Sequence, residues 1–183
     1  MTGTDVTLIV CGAPLADRTP DLIAALQADG LRPNVVGTPS STAWLDSAAL
    51  TRLTGEKPRL EYRAPSEAKR AGTPTAVIVC PATFNTVNKA AAGVADTYAL
   101  GALCEALGSG VPTLVAPMVN DKLWGHPAWA GSLRVLRDAG AVLLDVMTGG
   151  PDPAPVPSGT GADVTARFEP AWVTTRLKLL LPR

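Results

Sequence analysis

Unbroken apolar runs alternate along this chain with segments in which apolar residues return every three or four positions. Val6-Thr7-Leu8-Ile9-Val10-Cys11 is a continuous β-branched and apolar stretch, which predicts a parallel strand covered on both faces. After Gly12 and a polar turn, Pro20 stands at an expected first helical position. Leu22, Ile23 and Leu26 then recur at helical spacing up to the stop at Gly30. Asn34-Val35-Val36-Gly37 predicts a second strand, and Thr38-Pro39-Ser40-Ser41 a capping turn before a helix carrying Trp44, Leu45 and Leu50. From Thr54 to Pro74 the pattern is lost, as in an irregular connection. Ala76-Val77-Ile78-Val79-Cys80 is the clearest strand, followed by a helical stretch reaching Leu107. Further strands are expected at Pro112–Ala116 and Ala141–Asp145, with helices around Leu133–Ala139 and around Trp172, Leu177 and Leu180. Thr148 to Gly161 is crowded with Gly and Pro and has almost no large apolar residue, which predicts a mobile loop.

Strands alternating with helices define an α/β class: one Rossmann-like, doubly wound parallel sheet spanning residues 1–183 as a single domain. Ligands of such sheets sit beyond the C-terminal ends of the strands, near the point where strand order reverses. The loops that matter are therefore those after Cys11, Gly37, Cys80 and Ala116.

Composition narrows the function classes. Sixteen Lys and Arg balance sixteen Asp and Glu, so there is no basic surplus to displace counterions, and a nucleic-acid partner is not expected. No run approaches the roughly 18–20 apolar residues of a membrane span, and Met1 to Thr7 carries no export pattern, so a cytoplasmic protein is expected. Charged residues make up only 17%, which leaves apolar surface for a homo-oligomer. The three cysteines have no CxxC spacing and read as small buried residues in a reducing compartment. With His126 the only histidine and no second ligand at helical spacing from it, no metal is expected.

The first loop, Gly12-Ala13-Pro14-Leu15, has one glycine and no GxGxxG pattern, so it does not suit a dinucleotide. A single phosphate is less demanding, and Thr38, Ser40 and Ser41 supply hydroxyls near it. The third loop is Pro81-Ala82-Thr83-Phe84-Asn85-Thr86, with Asn88-Lys89 and Gly93-Val94-Ala95-Asp96 following on the expected helix. The fourth is Ala116-Pro117-Met118-Val119-Asn120-Asp121-Lys122-Leu123-Trp124. Together these motifs resemble those of the homo-oligomeric flavin-containing cysteine decarboxylases, which include phosphopantothenoylcysteine decarboxylases and the peptidyl-cysteine decarboxylases of lanthipeptide biosynthesis. Phe84 stands where that family has an alanine, and Val119 and Leu123 where it has methionines. Arg167-Phe168-Glu169-Pro170 is similar to the segment before the family's last helix.

The resemblance implies FMN as cofactor. Gly12, Ala13, Thr38 and Ser40 would hold its phosphate, and Ala82, Thr83, Asn85 and Thr86 would line the ribityl chain and ring. Asn120 would bind the substrate carboxylate as the catalytic residue, with Leu123, Trp124 and Arg63 as further substrate-binding candidates. It also implies a trimer or dodecamer, a substrate peptide ending in cysteine, and residues 148–161 as a candidate lid over that peptide. Two departures bear on the reaction. The family's active-site histidine has no counterpart between Thr54 and Thr75, where Tyr62-Arg63-Ala64-Pro65 stands. The flap cysteine of the phosphopantothenoylcysteine enzymes is absent from Pro157 to Pro170. The expected reaction is thus oxidative decarboxylation of a peptidyl cysteine. The alternatives are phosphopantothenoylcysteine decarboxylation and a non-catalytic FMN-binding paralogue or regulatory subunit.

Overall fold

The computed structural model describes residues 4–64, 66 and 72–181, and their order is that of the predicted class. Five strands form one parallel sheet in the order β2-β1-β3-β4-β5: β1 Thr4–Val10, β2 Leu31–Gly37, β3 Ala76–Ala82, β4 Thr113–Pro117 and β5 Val142–Leu143. The chain steps outward from β1 to β2, then crosses back to β3 on the other side. Strand order therefore reverses between β1 and β3, which leaves a crevice at their C-terminal ends.

Side chains alternate across the sheet and fill two layers. Val6, Leu8, Val10, Ile78 and Leu114 face a layer containing Leu22 and Leu26 of α1 (Thr19–Ala28), Leu50 of α2 (Ser47–Thr54), Val164 of α7 (Gly161–Arg167) and Val173 and Leu177 of α8 (Pro170–Lys178). Ile9, Cys11, Val77, Val79 and Val115 face the other. That layer holds Val87 of α3 (Phe84–Ala91), Leu100 and Leu103 of α4 (Tyr98–Gly108), and Trp129, Leu133 and Leu136 of α6 (Pro127–Asp138). Every residue of β3 is buried, which explains why it reads most clearly in the sequence.

Several boundaries differ from expectation, each for a local reason. Trp44 and Leu45 precede α2 instead of lying on it. Pro39–Ala43 forms a 3₁₀ turn, and Asp46 caps the helix by accepting from the Ala49 N–H at 2.9 Å. The helix expected to run to Leu107 is two helices: Gly93 ends the first at φ +71°, and the Thr97 hydroxyl caps the second through the Leu100 N–H, so Gly93–Asp96 is a turn. β2 starts at Leu31, because an edge strand tolerates Pro33. β5 is only two residues long, α7 was not foreseen, and Leu180 lies past the end of α8. Residues 65 and 67–71 of the irregular connection lie outside the described residues. Just before them, Arg59 bridges to Val36 at the edge of β2.

The Gly/Pro loop holds no helix between 148 and 160, and it is tethered. Asp145, 2% exposed, accepts from the N–H groups of Met147 and Thr148 and the Thr148 hydroxyl through Oδ1, and from the Ala154 N–H through Oδ2. Further on, Val156 is buried and exchanges backbone bonds with Val119 and Asp121.

Candidate functional site

The loops beyond β1, β2, β3 and β4 are laced together at the crevice. The Thr38 N–H donates to the Val10 carbonyl at 3.0 Å, Cys11 N–H to Pro81 at 3.1 Å and Met118 N–H to Ala82 at 2.9 Å. Gly12 is packed so tightly against the β2 loop that a Cβ there would lie 2.4 Å from the Ser40 carbonyl oxygen. Beside it the hydroxyls of Thr38 and Ser40 are 3.1 Å apart, Thr38 buried and Ser40 exposed. Ser41 turns its hydroxyl inward to the Thr38 carbonyl at 2.7 Å and so stiffens the turn. The Ala13 N–H is used on the Cys11 carbonyl, so Ala13 contributes shape and no free donor.

At the end of β3, Thr83 is the partly exposed residue before α3, Asn85 is exposed on its first turn, and Thr86 is 4% exposed. Thr86 Oγ1 lies 3.1 Å from Thr83 Oγ1 and accepts from the Cys11 thiol at 3.2 Å. Ala82 is fully buried, so its side chain serves the core. Phe84 stacks on Trp129, with centroids 5.5 Å apart, and meets His126 edge-on. His126 in turn caps α6, its Nδ1 accepting from the Ala128 N–H. Lys89 and Asp96 pair with each other at 2.6 Å across the α3–α4 turn.

Beyond β4, Asn120 precedes the short helix α5 (Asp121–Trp124) and its Oδ1 accepts from the Leu123 N–H at 2.9 Å. Leu123 is exposed, and Trp124 leans on Trp129. Asn120 lies in a cleft of about 450 Å³ whose walls include Pro14, Met118, Val156, Ser158 and Gly161. The wall from Val156 to Ser158 is fastened to the Asn120 loop, because Asp121 Oδ1 accepts from both the N–H and the hydroxyl of Ser158. These bonds hold the Asp121 carboxyl below the usual aspartate range. Arg63 is exposed and sits apart from this loop in the chain. Its neighbour Tyr62 binds the carbonyls of Ala95 and Thr97 ahead of α4.

The thiols beneath the crevice are held protonated. Burial raises Cys11, with its hydrogen-bond contacts to Thr86 and Thr83 offsetting only part, and burial together with Cys11 pushes Cys80 up to about 12. Neither is a nucleophile at neutral pH. Among the described residues no cluster of three His, Cys, Asp or Glu side chains could hold a metal ion, and no helix is long and apolar enough to cross a membrane.

The crevice fits a flavin mononucleotide. The absence of a side chain at Gly12 lets the β1 loop lie directly against the β2 loop, which brings the Thr38 and Ser40 hydroxyls to the end of β1. No carboxylate occurs among Cys11–Ala13, Thr38–Ser41 or Ala82–Thr86 to repel a phosphate. Sequence reasoning expected residues 148–161 to be a mobile lid, where Val156 to Ser158 form a fastened wall of the cleft, and it missed the thiol beneath Thr86. The signal for the wall was Val156, the one large apolar residue within 148–161 after Met147.

Residues 1–162 match the model of the flavoprotein family, and the chain belongs to that family. Among curated relatives, the coenzyme A biosynthesis bifunctional protein CoaBC of Mycobacterium bovis is 31% identical over 180 residues. That match takes in 95% of this chain and 40% of the relative, so the chain spans about two fifths of that protein's length. Among solved structures, the FMN-dependent cysteine decarboxylase SpaF superimposes with a TM-score of 0.67 at 22% identity, over 94% of this chain and 97% of its own. The FMN binding protein AtHal3 gives 0.69 at 21% identity over 97% of each. At these identities the likeness is one of fold, and it matches the fold expected from the sequence.

Proposed function

We propose that this chain binds FMN at the crevice between β1 and β3 and catalyses the oxidative decarboxylation of a peptide's C-terminal cysteine. The observation that carries the reading is the convergence of Gly12, Thr38, Ser40 and Thr83 on the switch point, beside a cleft that contains Asn120. The names of its structural neighbours, FMN-dependent cysteine decarboxylases and a cypemycin decarboxylase, support the same chemistry. A homo-oligomer, trimer or dodecamer, in the cytoplasm belongs to this proposal, supported by the resemblance and by the low charge content.

Bound FMN would supply the two-electron oxidation that makes the substrate carboxylate a leaving group. The chain's own residues do the rest. Gly12 and the Thr38 and Ser40 hydroxyls hold the phosphate. Asn120 is divided in its duties: Oδ1 is committed to the Leu123 N–H, which leaves the Nδ2 protons to bind the terminal carboxylate. The cleft walls carry no charged side chain, so the Asn120 amide is the group there best placed to bind the carboxylate.

Asn120→Asp tests the assignment cleanly. Asp keeps the cap at the Leu123 N–H but replaces a donor with a second acceptor, which repels a carboxylate. The variant should remain yellow and folded while turnover falls by roughly 100-fold or more. Retained turnover, or loss of the colour, counts against this role. A second reading, decarboxylation of phosphopantothenoylcysteine, is favoured by the CoaBC relatives. Mass spectrometry separates the two: oxidative decarboxylation removes about 46 Da, CO₂ plus two hydrogens, and the reductive route about 44 Da.

A further inference from the structure

We infer that Pro155 and Pro157 set the substrate range by denying a bound peptide a strand edge to pair with. Recognition then ends within the Asn120 cleft, and a short N-acylated cysteine is bound as well as a long peptide. This rests on the reading of that cleft as the substrate site and narrows it. Prolines stand at every second position along one of its walls and the segment leading into it: Pro151, Pro153, Pro155 and Pro157. The residues between the last three are turned inward. The Ala154 N–H donates to Asp145 Oδ2 at 2.7 Å and the Val156 N–H to the Val119 carbonyl at 2.9 Å, while the Val156 carbonyl accepts from the Asp121 N–H at 3.0 Å.

Val156 pairs with Asn120 as a parallel bridge. Along an extended segment the N–H and C=O groups of successive residues point to opposite sides, so positions 155 and 157 face away from the Asn120 loop. An ordinary edge would offer two donors and two acceptors there. Proline supplies neither donor, and the Pro157 carbonyl already accepts from the N–H and the hydroxyl of Thr160 at 3.1 and 2.8 Å. Strand addition needs donors and acceptors in alternation. Against this edge the carbonyls of a peptide would meet proline rings and lose their water without gaining a partner. The segment 154–158 cannot turn to offer another edge, because Asp145 holds it at Ala154 and Asp121 holds it at Ser158. Among the described residues that line the cleft, no other wall provides one. Pro14 opens a 3₁₀ turn, Gly161 and Ala162 open α7, and the edge beside Val119 and Asn120 is the one that Val156 covers.

The test uses acetylated peptides of two, four and six residues that share an ending of alanine and cysteine, with FMN-loaded wild type and a Pro155→Ala/Pro157→Ala variant. Turnover is read by mass. Binding is read by flavin fluorescence with the matching serine-ended peptides, which lack the thiol. In wild type, kcat/KM and Kd should each change by less than about threefold from two residues to six. The variant regains both donors, so its six-residue peptide should gain roughly tenfold over the two-residue one in both readouts. A larger length dependence in wild type overturns the inference and leaves the substrate-site reading standing. So does a folded variant whose length dependence matches wild type. If the double variant fails to fold, Pro155→Ala alone is held to the same comparison. Absence of turnover and of binding with every peptide, on protein that has taken up FMN, overturns the substrate-site reading and this inference with it.

Discussion

Gly12→Ala is a single-methyl change whose consequence can be worked from distances. The added Cβ would lie 2.4 Å from the Ser40 carbonyl oxygen, 2.7 Å from its carbon and 3.0 Å from its Cβ. The first two are backbone atoms, so no flexible side-chain end can swing away. Relief requires the β1 and β2 loops to part by about 1 Å, and overpacking of this kind costs about 1–3 kcal/mol. For a chain of this size that is roughly 2–12 °C in Tm. The same displacement moves the Thr38 and Ser40 hydroxyls, now 3.1 Å apart, away from Gly12, so FMN affinity should fall by about tenfold or more. Gly131→Ala is the control. It lies within α6 with nothing within 4 Å of its added Cβ, and should raise stability by about 0.5–1 kcal/mol with unchanged affinity. Thermal melts and flavin titrations on both variants decide the matter. If Gly12→Ala melts and binds as wild type does, the two loops do not meet as described, and the phosphate assignment loses its basis.

Asp145→Ala removes one carboxylate that organises four donors, so Tm should drop by roughly 5–15 °C, corresponding to about 2–4 kcal/mol. A melt within two or so degrees of wild type (about 0.5 kcal/mol) would refute that role. Cys80 sets a pH dependence. Its folded pKa of about 12 lies above a thiol's ordinary value of 9.0, so the folded state keeps a proton that the unfolded chain gives up. The stability it contributes is complete below pH 9 and declines through pH 12, by about 1.4 kcal/mol per unit. Cys80→Ala should therefore unfold less steeply than wild type across that window, as read by denaturant midpoints at successive pH values. The exposed Lys89–Asp96 pair should matter far less: Asp96→Asn should cost at most about 1 kcal/mol, and less still in high salt.

The strands and the doubly wound class were legible because parallel strands buried on both faces must be continuously apolar, and β1 and β3 are. Features set by single backbone positions were not. Gly93 reads as one more residue of a helical stretch until its left-handed φ is known, and the helix then breaks there. The end of β5 was misplaced because Asp145 looks like the polar end of a strand, whereas its buried carboxylate pulls the chain out of the sheet into the next loop. Val156 carried the same kind of information in the opposite sense, a lone apolar residue marking where that loop returns to the core.

The site itself was legible only where it coincides with loop motifs. Its phosphate and ring candidates are hydroxyls, small residues and an amide. None of these titrates, so the usual search for a perturbed acid or base finds the two thiols underneath, shifted by burial, and Asp121, lowered by its bonds to Ser158, and none of the three is a ligand-binding candidate. The bond from Cys11 to Thr86 joins residues 75 apart in sequence. It exists because parallel pairing of β1 with β3 brings the ends of those strands side by side, and nothing in either segment alone encodes it. An uncharged site of this kind has to draw its selectivity from the direction of its donors. The loops that fix Thr38, Ser40 and Thr83 at the strand ends therefore matter more here than the identity of any charged residue nearby.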